Sequence, residues 1–265
     1  MLFDMHIHMF SDGIAEKALS HLTQLFGHPP LTNGTVSDTK RKMKEWGVTS
    51  FTALNIATKP SQQKVINDWA ASVQSNQVCC FGTVHPDAPD APQEIERMAK
   101  LHLHGIKLHP DFQEFMITDP KLYPIYEAAS DLGLPITFHV GRDPENIEAP
   151  HATPSGILQL SRLFPKLTII AAHLGGARMF DEVEQTLAGK NVYFDTALTN
   201  VLCPPEQFLR IVRKHGSERI LFGSDCPWQS PLDEFKWLER LNLPSKDREN
   251  IYWNNAVRLL KIDKS

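Results

Sequence analysis

The sequence predicts one α/β domain, a (β/α)8 TIM barrel, and three observations carry that expectation. Short runs rich in Val, Ile, Phe and Thr recur roughly every thirty residues, as in a chain of βα units. Each run leads through a loop into a stretch with helical periodicity. No GxGxxG turn follows the first run, so the even repeat favours closure into a barrel over an open doubly wound sheet.

The runs place strands at 2–8, 48–56, 78–85, 105–109, 135–140, 167–173, 192–197 and 220–225. Helices are expected at 38–46, 61–73, 92–103, 122–132, 155–164, 180–187, 205–215 and 232–241. Gly47, Gly105, Gly133 and Gly216 follow amphipathic runs, where a left-handed residue ends a helix, and Pro92 and Pro205 stand where a helix can begin. The long segment 9–36 follows the first strand without clear periodicity and is expected to overhang the C-terminal mouth as a substrate lid. A last helix, 247–260, is expected on the outside of the barrel, and no low-complexity linker divides the chain.

The chain of 265 residues is 42% hydrophobic and 22% charged with a net charge of −4, the balance of an ordinary globular protein. No basic run exceeds Lys40-Arg41-Lys42, which argues against nucleic acid or an anionic membrane as partner. No apolar stretch approaches the roughly 18 residues of a membrane span. Asp4, His6 and His8 interrupt the apolar start, so nothing marks export and a cytoplasmic location is expected by default. Cys79, Cys80, Cys203 and Cys226 show no CxxC spacing and are expected to be reduced. Cys79 and Cys80 should face opposite sides of their strand.

His6 and His8 share one strand face, because side chains alternate, and Ile7 points the other way. An HxH pair alone is a weak signal. Here His139, His173 and Asp225 end the fifth, sixth and eighth strands, at the rim where barrels keep their chemistry. Burying such groups without partners costs several kcal/mol each, and a divalent ion that accepts neutral imidazole and carboxylate removes the difficulty.

With these residues the chain resembles the amidohydrolase superfamily, and within it the amidohydrolase-related (amidohydrolase 2) group of metal-dependent barrels, which holds hydrolases, lactonases, hydratases and aromatic-acid decarboxylases. The motifs that carry the resemblance are Asp4-Met5-His6-Ile7-His8, Gly105-Ile106-Lys107-Leu108-His109-Pro110, Thr137-Phe138-His139, Ala172-His173-Leu174-Gly175-Gly176 and Phe222-Gly223-Ser224-Asp225-Cys226-Pro227. They span nearly the whole chain. The resemblance implies that His6, His8 and His139 ligate the metal with Asp225, while His173 completes a second metal site or serves as acid–base group.

Lys107 stays open between three roles: a carboxylated bridge between two ions, an ammonium that meets Asp225 or a substrate carboxylate, and a buried salt bridge. His109, of the same inward parity, is a substrate contact, a donor behind the ligands or a satisfied structural histidine. Arg142, in the loop after the fifth strand, suits a substrate carboxylate or a salt bridge with Asp143 or Glu145. Asp195 ends the seventh strand near the substrate or holds a neighbouring loop, and His85 after the third strand is a further candidate for the pocket wall. The remaining histidines, His215 among them, are expected to be mostly solvated.

No GxSxG, GxxxxGK[ST] or HExxH motif appears. The leading expectation is a metal-dependent hydrolase acting on a small anionic amide, lactone or ester. In it, metal-activated water attacks, Asp225 takes the proton, His173 stabilises the oxyanion, and Lys107 and Arg142 hold the substrate. The alternative on the same ligands is a lyase, either a nonoxidative decarboxylase or a hydratase of an aromatic or unsaturated acid. A metal-binding barrel without turnover ranks third. Zinc is the default ion and manganese the other candidate, one or two per chain. Homodimerisation through outer helices is left open.

Overall fold

The computed structural model describes residues 1–262. Its eight strands are β1 (Phe3–Ile7), β2 (Ser50–Leu54), β3 (Val78–Phe81), β4 (Ile106–Leu108), β5 (Ile136–Phe138), β6 (Ile169–Ala171), β7 (Tyr193–Asp195) and β8 (Ile220–Leu221). Each lies inside its expected run and is shorter than it. They pair in parallel as two arcs, β1-β2-β3 and β4-β5-β6-β7-β8. Parallel bridges Gly82↔Ile106 and Ile7↔Cys226 join the arcs at both seams, and the ring closes. Because the ladders stop early, His109, His139 and His173 follow just after their strands, at the mouth.

Alternation sorts the strand residues into two apolar layers. Phe51, Ala53, Cys80, Ile106, Leu108, Ile136 and Phe138 pack outward with the surrounding helices, whereas Leu54, Cys79, Phe81, Ile170 and Leu221 form a separate inner cluster. Cys79 and Cys80 thus fall in different layers, and all four cysteines are free and buried. The register of β1 shifts between Asp4 and Ile7. Phe3 and Met5 therefore join the inner cluster while Ile7 joins the outer one.

Three local expectations are corrected. The C-terminal segment is not an outer helix: Ala256, Val257 and Leu260 pack on Phe3, Met5, Ile170 and Leu221, and Trp253 meets the Phe3 ring at 5.8 Å. It closes the barrel beneath β1, where the inner layer would otherwise leave apolar surface open to water. The mouth segment is not irregular, since Asp12–Phe26 is helical and ends at Gly27 with φ 76°. Its polar outer face hides the helical period in the sequence. Gly105 does not end a helix with a positive φ; a Cβ there would stand 2.6 Å from the Phe81 ring and 2.8 Å from the Pro135 carbonyl oxygen, so the residue is small for lack of room.

Candidate metal centre

A cavity of about 610 Å³ opens at the C-terminal ends of the strands, and its wall includes His6, His8, Lys107, His109, His139, His173 and Asp225. Two groups of potential ligands face it, His6 with His8 and Asp225, and His109 with His139 and Asp143.

In the first group, Asp225 Oδ1 lies 3.1 Å from His6 Nε2 and 3.2 Å from His8 Nε2. The partners on the far side of each ring assign the tautomers. His8 Nδ1 is 3.1 Å from the Leu54 carbonyl, which can only accept, so Nδ1 carries the proton and the Nε2 of a neutral ring is bare. Burial pushes His8 below its ordinary pKa and keeps it neutral. A bare imidazole nitrogen therefore faces a carboxylate oxygen, two electron pairs that require a cation between them. His6 donates Nδ1–H to Asp195 Oδ2 at 2.8 Å. Burial pulls the His6 pKa down, but Asp195 outweighs it and the value is raised, so without an ion a proton on Nε2 serves the same carboxylate. Burial likewise raises Asp225, yet the hydrogen bond and charge of His6 help to outweigh it, and the carboxyl is held well below its usual range. Two imidazoles on Nε2, one carboxylate and an open side toward the cavity fit a divalent ion of catalytic type.

His173 donates its Nδ1–H to the Ala197 carbonyl at 3.1 Å, which leaves Nε2 bare and 3.0 Å from His139 Nδ1. The backbones of His173 and Asp225 are left-handed, φ 57° and 72°, and strained for residues with a Cβ. Asp195 Oδ1 holds the first, accepting His173 N–H at 2.8 Å, and the His6 carbonyl holds the second at 2.9 Å.

Lys107 stands on the cavity wall with 1% exposure, and its Nζ has no hydrogen-bond partner. Among the described residues no carboxylate lies within 4.0 Å of it, so the buried salt bridge is absent. Burial lowers its pKa to about 8, against the pull of Asp195 and Asp225. Arg142 lines the rim and donates to the Ile147 carbonyl at 3.3 Å. Neither Asp143 nor Glu145 forms an ion pair with it among the described residues. Asp195 is absent from the cavity wall: it is fully buried behind His6, and its two oxygens accept the His6 Nδ1–H and the His173 N–H. His85 is absent from the cavity wall, and its Nδ1 accepts the Asp87 N–H at 3.2 Å.

The sequence reading passed over Asp143 as a site residue, and over the aromatic wall. Phe10 and Phe26 come from the mouth segment, Phe112 from the loop after β4 and Trp228 from the loop after β8. Phe26 and Trp228 meet at 4.7 Å between ring centres. Gly141 is the available signal for Asp143, since its φ is 96° and a Cβ there would stand 2.3 Å from Ala177 N, so only glycine lets the chain turn back beside His139.

A model of the Amidohydrolase family matches residues 3–262. A 2-amino-3-carboxymuconate-6-semialdehyde decarboxylase of Caenorhabditis elegans is 30% identical over 122 residues, 39% of this chain and 30% of that protein's length. The fold is shared with 5-carboxyvanillate decarboxylase from Sphingomonas paucimobilis, at 16% identity and a TM-score of 0.75 over 99% of both chains. It is shared too with a dihydroxybenzoic acid decarboxylase from Polaromonas carrying manganese and the inhibitor 2-nitroresorcinol, at 17% identity and a TM-score of 0.73, over 100% of this chain and 98% of that one.

Proposed function

The chain belongs to the amidohydrolase family, and from that premise we propose that it is a metal-dependent nonoxidative decarboxylase of an aromatic or unsaturated carboxylic acid. The observation that carries the reading is the composition of one cavity. The open side of the His6, His8 and Asp225 group faces an aromatic-walled space in which the Lys107 ammonium has no protein partner. The relatives described above, which include an aromatic-acid decarboxylase with manganese, support it. The alternative of the sequence reading thereby moves ahead of hydrolysis.

His6, His8 and Asp225 would hold a divalent ion, which would supply positive charge for binding and orienting an oxygen of the substrate. Phe112, Phe26 and Trp228 seat the ring and exclude water. Lys107 Nζ pairs with an acidic group of the substrate, and Arg142 at the rim adds a second cation. His173 Nε2, bare in the neutral ring, takes up a proton from solvent and delivers it to the ring carbon that bears the carboxylate. The carbon–carbon bond then breaks, its electron pair restores the ring, and CO2 leaves.

Hydrolysis would use the same residues with Asp225 taking a proton from water. The two are told apart by product. Metal-loaded protein offered hydroxybenzoates and unsaturated acids should release CO2 with one equivalent of the decarboxylated product. Cleavage of lactones, esters or amides without any CO2 from the acids would reverse the order.

A further inference from the structure

We propose that Glu234 is a positioning residue of the cavity: its carboxyl group donates a hydrogen bond to Thr199, accepts one from Asn200, and so fixes the apolar wall that follows β7. The inference is independent of the decarboxylase reading. Glu234 stands on the helix Pro231–Arg240 and is 0% exposed. Among the described residues, the titratable groups that reach it offer no cation. Asp4 of β1 and Asp195 of β7 are acids, and Cys203 and Tyr252, both raised first of all by burial, stay neutral. Burial, with the charges of Asp4 and Asp195 behind it, pushes the Glu234 carboxyl well above its ordinary range, against the Thr199 and Asn200 contacts.

The contacts allow one arrangement of protons that satisfies them all. Thr199 Oγ1 lies 2.9 Å from the Thr196 carbonyl and 2.5 Å from Glu234 Oε1. The hydroxyl carries a single proton and a carbonyl can only accept, so the Thr199 proton serves Thr196 and the shorter contact is made by a proton on Oε1. Oε2, the acceptor that remains, takes the Asn200 N–H at 3.2 Å. With an ionised carboxylate the hydroxyl would reach only one of its two acceptors, and a full negative charge would stand in the core without a counter-ion. The turn held in this way is strained and faces the cavity. Leu198 has a left-handed backbone, φ 62°, and Leu198, Val201 and Leu202 line the wall. Asn200 Oδ1 accepts a Gln229 Nε2–H at 3.3 Å, which ties this wall to the loop after β8 beside Trp228.

The test joins infrared spectroscopy to amide hydrogen exchange on the full-length protein at neutral pH. The difference spectrum of wild type against Glu234→Gln should show the carbonyl stretch of a protonated carboxylic acid in wild type alone, and subtraction separates it from any contribution of Asp4. In exchange followed by mass spectrometry, Glu234→Gln should protect the peptide covering 198–203 as wild type does, because its amide donates to Thr199 and accepts from Asn200. Glu234→Leu fills the space with neither bond, and that peptide should exchange about tenfold faster, the equivalent of one lost hydrogen bond. Thr199→Val removes the partner instead and should speed the same peptide, which covers the case in which Glu234→Leu fails to fold. No carboxylic acid band in the difference spectrum would overturn the proposal. So would Glu234→Gln exchanging faster than wild type by as much as the variants that lose the bond, or wild-type protection in both Glu234→Leu and Thr199→Val. None of these outcomes touches CO2 release, so failure here and failure of the decarboxylase reading are separately visible.

Discussion

Asp195 holds His6 from behind, its Oδ2 accepting the Nδ1–H at 2.8 Å where neither group is more than 1% exposed. The carboxylate fixes the tautomer that leaves Nε2 toward Asp225, and its other oxygen braces the strained backbone of His173. Asp195→Asn keeps the size and loses the charge. It should weaken metal binding about 10–100-fold, the usual cost of removing the group behind a ligating histidine. Affinity measured by competition with a chelating dye decides it, and an unchanged constant would remove Asp195 from the account.

Lys107 separates stability from binding. Its ammonium is buried without a hydrogen-bond partner, a cost the fold bears for the ligand. Lys107→Met fills the same volume without the charge, so the variant should be more stable by about 1–3 kcal/mol in denaturant unfolding. Its KM for the acid should rise at least tenfold. A less stable variant with normal KM would make Lys107 a structural residue.

His215 gives the protein a pH dependence far from the site. It is 2% exposed, stacked 3.9 Å from Phe194, with Nδ1 accepting the Gly189 N–H and Nε2 donating to the Val192 carbonyl. Burial lowers its pKa from 6.5 to about 4. Between those values the unfolded chain binds a proton that the native protein refuses, so stability is full above 6.5 and falls as the pH drops toward 4, by about 3 kcal/mol in all. His215→Asn should flatten that part of the profile. An equally steep loss in the variant would assign the effect elsewhere.

The barrel was legible because strand runs, helical periods and terminating glycines agree, and Gly47, Gly133 and Gly216 do adopt positive φ. His6, His8, His139, His173 and Asp225 were legible from parity and strand position, and all five reach one cavity. Their grouping was not. His139 turns its Nε2 to Asp143 because the loop after β5 folds back at Gly141, a tertiary approach with no periodic signature. His215 read as a solvated helix residue, yet it lies under the Gly189 turn. The seat of the C-terminal helix was hidden for a similar reason: an apolar face looks the same whether it meets the outer ring or the barrel floor.

The central claim is that His6, His8 and Asp225 hold a divalent ion. The most direct measurement is an anomalous difference map from crystals of protein purified without chelator, or soaked in MnCl2. The account predicts a strong peak within bonding distance, about 2.0–2.2 Å, of His6 Nε2, His8 Nε2 and Asp225 Oδ1. A soaked crystal with no peak there, and with Asp225 still bridged to both rings, would contradict it.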